Sequence, residues 1–268
     1  MKFQITLDTY SGRPNPTWVL NDADSAQLVS RLEAAPKLMQ SVDLQPSQMG
    51  LGYRGYIVEQ LTPPEVSGGP AVPAAFRIGS GGSEAESFLL RTGSAFLPAA
   101  VLEATEAAPP APVQPAPAGA LLSCGSNYLT SDTDFSFWNT PAYQPLNNCY
   151  NFASNYRTNT FAQPGLRSGA RGNNLTTGGL DLNVRADGYS NSCVAARNDT
   201  ICAVLWPGVD FHFYHLAANR HWTHKPGRTA ARNYDNSGRL ISDPRTCNRG
   251  NYSVVAGFYY VDTHGNVR

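Results

Sequence analysis

The chain has 268 residues, 41% of them apolar and 10% aromatic, with 24 glycines and 20 prolines. That is enough for two ordinary globular domains with many tight turns. No apolar run approaches the ~20 residues a membrane helix needs. The opening Met1-Lys2-Phe3-Gln4-Ile5-Thr6-Leu7-Asp8 alternates like a strand, where a secretory leader would run from basic to apolar to small residues. Twenty Lys/Arg balance twenty Asp/Glu, but residues 1–119 hold 7 against 11 and residues 120–268 hold 13 against 9. The two halves could therefore attract each other. The second has a mild preference for anionic partners without the Lys/Arg clusters of a nucleic-acid binder.

The first half reads as a small α+β recognition or inhibitory domain over residues 1–106. Residues 2–8 form a strand, and Ser11-Gly12-Arg13-Pro14-Asn15-Pro16 makes a rigid polar turn, either a recognition loop or a plain connection. Asn21 or Asp22 can cap a helix to about Glu33 with Leu28, Val29 and Leu32 on one face. Strands are expected over 52–61 and 75–78. Ser83 and Glu86 form a capping box opening a helix that Gly93 can end.

Residues 107–119 are an alanine/proline segment, and proline at this density predicts an extended spacer. Beyond it there is no glutamate, Lys225 is the single lysine, and asparagine occurs 18 times. This composition favours strands and turns. Residues 120–268 are expected to form an α+β domain dominated by antiparallel β-sheet, with one short helix carrying Cys149.

All five cysteines lie in this half, at 124, 149, 193, 202 and 247. The count is odd, and Cys193–Cys202 and Cys124–Cys247 are the plausible bridges, which leaves Cys149 free. Such cysteine usage suits an exported protein, although no leader is evident and the location stays open. Cys149, Phe152, Ala153 and Tyr156 follow helical spacing behind Asn147 or Asn148 as cap. In a first helical turn the sulfur would feel the helix dipole and become a more acidic thiol. Equally, it could be a buried apolar cysteine.

The segment Val204–Leu216 reads as a tight turn followed by a strand. In that strand Asp210, His212 and Tyr214 face one way and Phe211, Phe213 and His215 the other. Residues 221–225 return as the partner strand. A three-residue loop would set His212 against His224 and Tyr214 against Trp222, and a four-residue loop would set Phe213 against His224.

A thiol at a helix start followed by a histidine on a strand is the order used by papain-like cysteine enzymes. Asn148-Cys149-Tyr150-Asn151-Phe152-Ala153 and Asp210-Phe211-His212-Phe213-Tyr214 resemble the nucleophile helix and histidine strand of CHAP- and NlpC-type cell-wall peptidases and amidases. Trp222-x-His224-Lys225-Pro226-Gly227, Asp235-x-Ser237-Gly238 and Asp243-Pro244 are similar to a wider group of uncharacterised bacterial proteins. The resemblance implies thiol hydrolysis of an amide in a peptide or peptidoglycan stem, with Cys149 as nucleophile and His212 as base. His224, Asp235 and Asn233 compete for the third place, Asn147 is an oxyanion donor, and no cofactor is required. The Gly/Asn-rich stretch 165–192 is a departure from the family pattern that either lines a cleft or decorates it.

Two other readings stand beside this one. His212 and His224 with Cys149 or Asp210 could bind zinc. Alternatively the half is a non-catalytic extracellular binding or assembly module for a carbohydrate or protein partner.

Overall fold

The computed structural model describes residues 1–43, 50–62, 72–79, 81–106, 134–192, 199–261 and 265–267. The alanine/proline segment, Cys124 and Cys193 lie outside them. The fold is α+β, with two four-stranded antiparallel sheets and no helix among the described residues long and apolar enough to cross a membrane. The chain divides into two compact units. The first comprises Met1–Thr9, Asn15–Gln48 and Tyr53–Ala108; the second comprises Tyr10–Pro14, Met49–Gly52 and Pro109–Arg268.

In the first unit β1 (Lys2–Leu7), β2 (Thr17–Val19), β3 (Tyr56–Thr62) and β4 (Ala75–Ile78) form a sheet of order β2-β1-β3-β4. Phe3, Ile5 and Leu7 alternate into the core from β1, as a half-buried strand requires. Helix α1 (Asp22–Ala34) starts where Asn21 accepts from the Asp24 N–H and buries Leu28 and Leu32. Helix α2 (Glu84–Gly93) opens on the Ser83/Glu86 capping box. A short helix α3 (Ala99–Glu106) follows. Enclosed in this unit, Asp8 receives the Arg54 guanidinium at 2.7 Å and the Arg77 guanidinium at 3.0 Å.

The second unit holds α4 (Ser136–Asn139), α5 (Cys149–Ala153), α6 (Thr177–Ala186), β5 (Asp199–Trp206), β6 (Asp210–Leu216), β7 (Trp222–His224) and β8 (Val254–Val261), in sheet order β7-β6-β5-β8. Every residue of β5 and β6 is buried, so this sheet is covered on both faces. On one face α5 packs on β6 and α6 on β8, around a core of Tyr150, Leu180, Val184, Ile201, Ala203, Leu205, Phe211 and Phe213. The Gly/Asn-rich stretch 165–192, expected to line a cleft or decorate it, contains α6. Leu180 and Val184, four residues apart, anchor its inner face, while two glycines in its first turn weaken the helix signal in the sequence.

The hairpin differs from both expected registers. Tyr214 pairs with His224 and Leu216 with Trp222, across a loop in which Arg220 takes a left-handed φ of 70°. The disulfides are also corrected. Cys149, Cys202 and Cys247 are free and buried, so neither expected bridge forms. Cys202 sits mid-strand in β5, where burial pushes its thiol well up, and burial lifts Cys247 to about 12.

Candidate functional site

The expected site residues converge in the second unit around a segment that the sequence reading treated as a turn. Residues Tyr10–Pro14 belong to this unit. Asp210, the first residue of β6, accepts backbone N–H groups from Ser11 at 2.6 Å, Gly12 at 3.2 Å and Arg13 at 3.0 Å. The Tyr252 hydroxyl donates to the same carboxylate at 2.6 Å. Burial nevertheless prevails over these bonds and raises the Asp210 carboxyl above its ordinary range. The Gly12 carbonyl accepts from Asn148 Nδ2 at 2.7 Å and Gln163 Nε2 at 2.8 Å. Gly12 has to be glycine here, because a Cβ would fall inside the Phe211 ring.

The Ser11 hydroxyl lies 2.5 Å from His212 Nδ1 and accepts the Gly227 N–H at 3.2 Å. His212 Nε2 lies 2.9 Å from His224 Nδ1, and His224 Nε2 lies 2.9 Å from the Tyr234 carbonyl. The result is a continuous chain of serine, histidine, histidine and backbone, in which Ser11, His212 and His224 are buried. Tyr214 stacks on His224 and Tyr252 meets His212 edge-on, closing the rings in. Burial, followed by the nearby Arg232 cation, depresses His224 to about 3, so it is neutral and hydrogen-bonds as such.

Cys149 begins α5, behind the Asn148 cap, as the spacing predicts. The helix is shorter than the spacing suggests. Asn155 turns left-handed at φ 50°, and Tyr156 points out with 41% exposure instead of completing the apolar stripe. The Cys149 sulfur is wholly buried in the core, 3.9 Å from the Phe211 carbonyl. Burial first, then the charge on Asp210, pushes the thiol up to about 12, against smaller lowering effects from Ser11 and Lys225. The expected acidic thiol is thus reversed, because desolvation outweighs a helix terminus only five residues long. A thiol of that kind is protonated and sheltered at neutral pH.

The remaining expected residues hold the framework together. Asn147 donates to the Tyr143 carbonyl and to Asn159, and accepts the Asn159 N–H. Asp235 accepts backbone N–H groups from Ser237, Arg239 and Asn248, which organises a turn. Asn233 accepts the Ile241 N–H through its carbonyl. Lys225 is buried with its ammonium on the carbonyls of Gln144, Asn147 and Gly227. For zinc, no group of three or more His, Cys, Asp or Glu side chains with ligand geometry occurs among the described residues. Ser11 and Tyr252 were missed by the sequence reading. The one signal for Ser11 was the rigidity of its turn.

Fold and site together define an α+β protein whose second unit closes its polar residues into a packed, hydrogen-bonded interior. Insoluble matrix shell protein 1 of Ruditapes philippinarum is 46% identical to this chain over 132 residues, which is 48% of this chain and 89% of that protein. The chain belongs to the family of that shell matrix protein. No protein-family model matches the chain, and no solved structure matches it. This relationship overturns the resemblance to bacterial cell-wall peptidases and amidases, together with the thiol-hydrolase function it implied. The motif-like strings around Cys149 and His212 build a core in which the sulfur is enclosed.

Proposed function

We propose that this chain is a non-catalytic binding or assembly module of an extracellular matrix, with the shell matrix of its relative as precedent. The observation that carries the reading is the 46% identity extending over 89% of that protein. The enclosed Cys149 thiol and the His212 ring held between Ser11 and His224 support a structural use of these residues. Composition supports it further. With 20 acidic residues balanced by 20 basic ones, the chain is no polyanion for gathering mineral cations, and it suits the organic framework better.

The test is fractionation of the source tissue with an antibody to the full chain. The protein is expected outside cells, in material that resists detergent extraction. Recovery in the soluble cell lysate, together with amide hydrolysis lost in Cys149→Ala, would overturn the reading.

A further inference from the structure

Between Asp134 and Asp181 the sequence contains no acidic residue and no lysine, but three arginines, Arg157, Arg167 and Arg171. Two of them, with Tyr156, Thr158 and Thr160, line a surface groove of about 550 Å³ in the second unit. Arg157 is held in place. Its guanidinium lies 3.8 Å from the Phe137 ring centroid and 4.0 Å from that of Tyr143, and Nη1 donates to the Phe137 carbonyl at 2.6 Å. Such a sandwich fixes the plane of the fork and leaves its other edge to meet an oxyanion. Arg167 is exposed and makes no hydrogen bond or ion pair among the described residues.

The loop that presents these groups is built rigidly. Asn151 donates to the Tyr156 carbonyl and to Thr158 Oγ1, and its oxygen accepts the Ala162 N–H. Asn147 clamps Asn159 from both sides, and the Phe161 N–H bonds the Leu146 carbonyl at 2.9 Å. Asn155, Asn159 and Phe161 are all left-handed, with φ of 50°, 58° and 54°. A bulky residue such as Phe161 holds that conformation only where its surroundings enforce it. The asparagines that decorate α5 thus carry an arginine-bearing groove flanked by exposed Tyr143, Leu146 and Tyr156.

We propose that this groove binds the anionic groups, sulfate or carboxylate, of an acidic polysaccharide. Charge complementarity selects an anion: no acidic residue lies between Asp134 and Asp181 in the sequence, and Asp187, whose carboxylate meets this stretch, is buried and bonded to Tyr150, Gly165 and Ser168. The exposed Tyr156 ring in the groove suits a sugar chain, and the Thr158 and Thr160 hydroxyls, bonded to each other at 2.6 Å, keep lone pairs for further hydrogen bonds. The choice of a polysaccharide over an acidic protein rests on the matrix reading above.

The experiment measures binding of the full chain to dextran sulfate by titration, with neutral dextran and polyaspartate alongside. Wild type is expected to bind dextran sulfate more tightly than polyaspartate, not to bind dextran, and to weaken as salt rises. Arg167→Gln should weaken binding about fivefold, and Arg157→Gln/Arg167→Gln more than about thirtyfold, the range for loss of charge-assisted bonds. Arg239→Gln, an exposed arginine elsewhere, should bind as wild type. Near-UV circular dichroism checks that the double variant is folded, and Arg167→Gln, at an exposed side chain, tests the idea independently of it. Equal binding by wild type and Arg167→Gln, or a preference for polyaspartate, overturns the proposal. Matrix localisation without dextran sulfate binding sinks the groove alone. Arginine-dependent binding in a protein recovered only from cell lysate supports the groove and sinks the matrix reading.

Discussion

Asp8 in the first unit and Asp210 in the second are both buried, yet their surroundings treat the charge in opposite ways. Asp8 faces two guanidinium groups, so although burial alone would raise it, Arg54 and Arg77 hold its carboxyl down at about 2. Asp210 is bonded by N–H groups and a tyrosine hydroxyl that carry no formal charge, and its carboxyl rises. Hydrogen bonds satisfy a buried carboxylate without repaying its lost hydration, whereas a nearby cation does. The first unit therefore keeps an ion cluster at its centre. The second holds its buried Asp210 with N–H and hydroxyl donors and its buried Lys225 ammonium with backbone carbonyls, an arrangement that suits a packed interior.

The largest expected effect comes from breaking the ion cluster. Arg54→Ala leaves Asp8 buried with half of its compensation gone, and should cost about 3–5 kcal/mol. Urea denaturation read by fluorescence measures it. A loss below about 1 kcal/mol would mean that water reaches Asp8, and the contrast between the two aspartates would fail.

Acid titration sharpens the comparison because the signs differ. The Asp8 carboxyl is lowered, so its contribution is present above its ordinary 3.8 and is lost as pH falls towards about 2. Asp210 is raised, so its contribution is fully present below 3.8 and is lost as pH rises through its folded value. His224 is depressed from 6.5 to about 3, so the unfolded chain takes up a proton that the fold refuses, and stability falls as pH drops through that window. The slope for one such group is at most about 1.4 kcal/mol per pH unit. The stability gap between wild type and His224→Gln should therefore narrow between pH 6.5 and pH 4, measured as urea midpoints. A constant gap would show that His224 titrates in the fold.

The elements that could be read from the sequence were those with local signals. Asn21 and the Ser83/Glu86 pair begin α1 and α2 because a cap and its partner lie within one turn of chain. The alternation along β6 likewise placed His212 on the face opposite Phe213. What could not be read depends on distant partners. Ser11 meets His212 across 201 residues, and no pattern in its turn announces that. The β6–β7 register turned on a left-handed arginine, a conformation that the local sequence does not demand. The asparagines around Cys149 were visible, but their role was misassigned, since a side chain that could donate to an oxyanion can equally well tie down a loop. The excess of basic residues in the second half was legible as charge. The fixing of Arg157 needed the fold, because the sandwiching rings of Phe137 and Tyr143 lie 20 and 14 residues upstream.

The smallest effect concerns Cys149, whose side chain could be deleted with little consequence if it only fills space. Cys149→Ala removes one sulfur from a core of tyrosine, phenylalanine and aliphatic side chains, and should cost about 1–2 kcal/mol. Cys149→Ser should cost more, since its more polar hydroxyl enters the same buried site, where the Phe211 carbonyl lies 3.9 Å from the present sulfur. A thiol raised to about 12 is almost wholly protonated at pH 8, and the packing around it excludes a reagent as well. Iodoacetamide at pH 8 should therefore leave Cys149 unmodified in the native chain and modify it fully in urea, with peptide-resolved mass spectrometry as the readout. Labelling of the native protein at the rate of the unfolded one would mean that the sulfur is accessible. Asp210, His212 and Cys149 would then face an opening, and the closed interior that separates this unit from a thiol enzyme would no longer describe it.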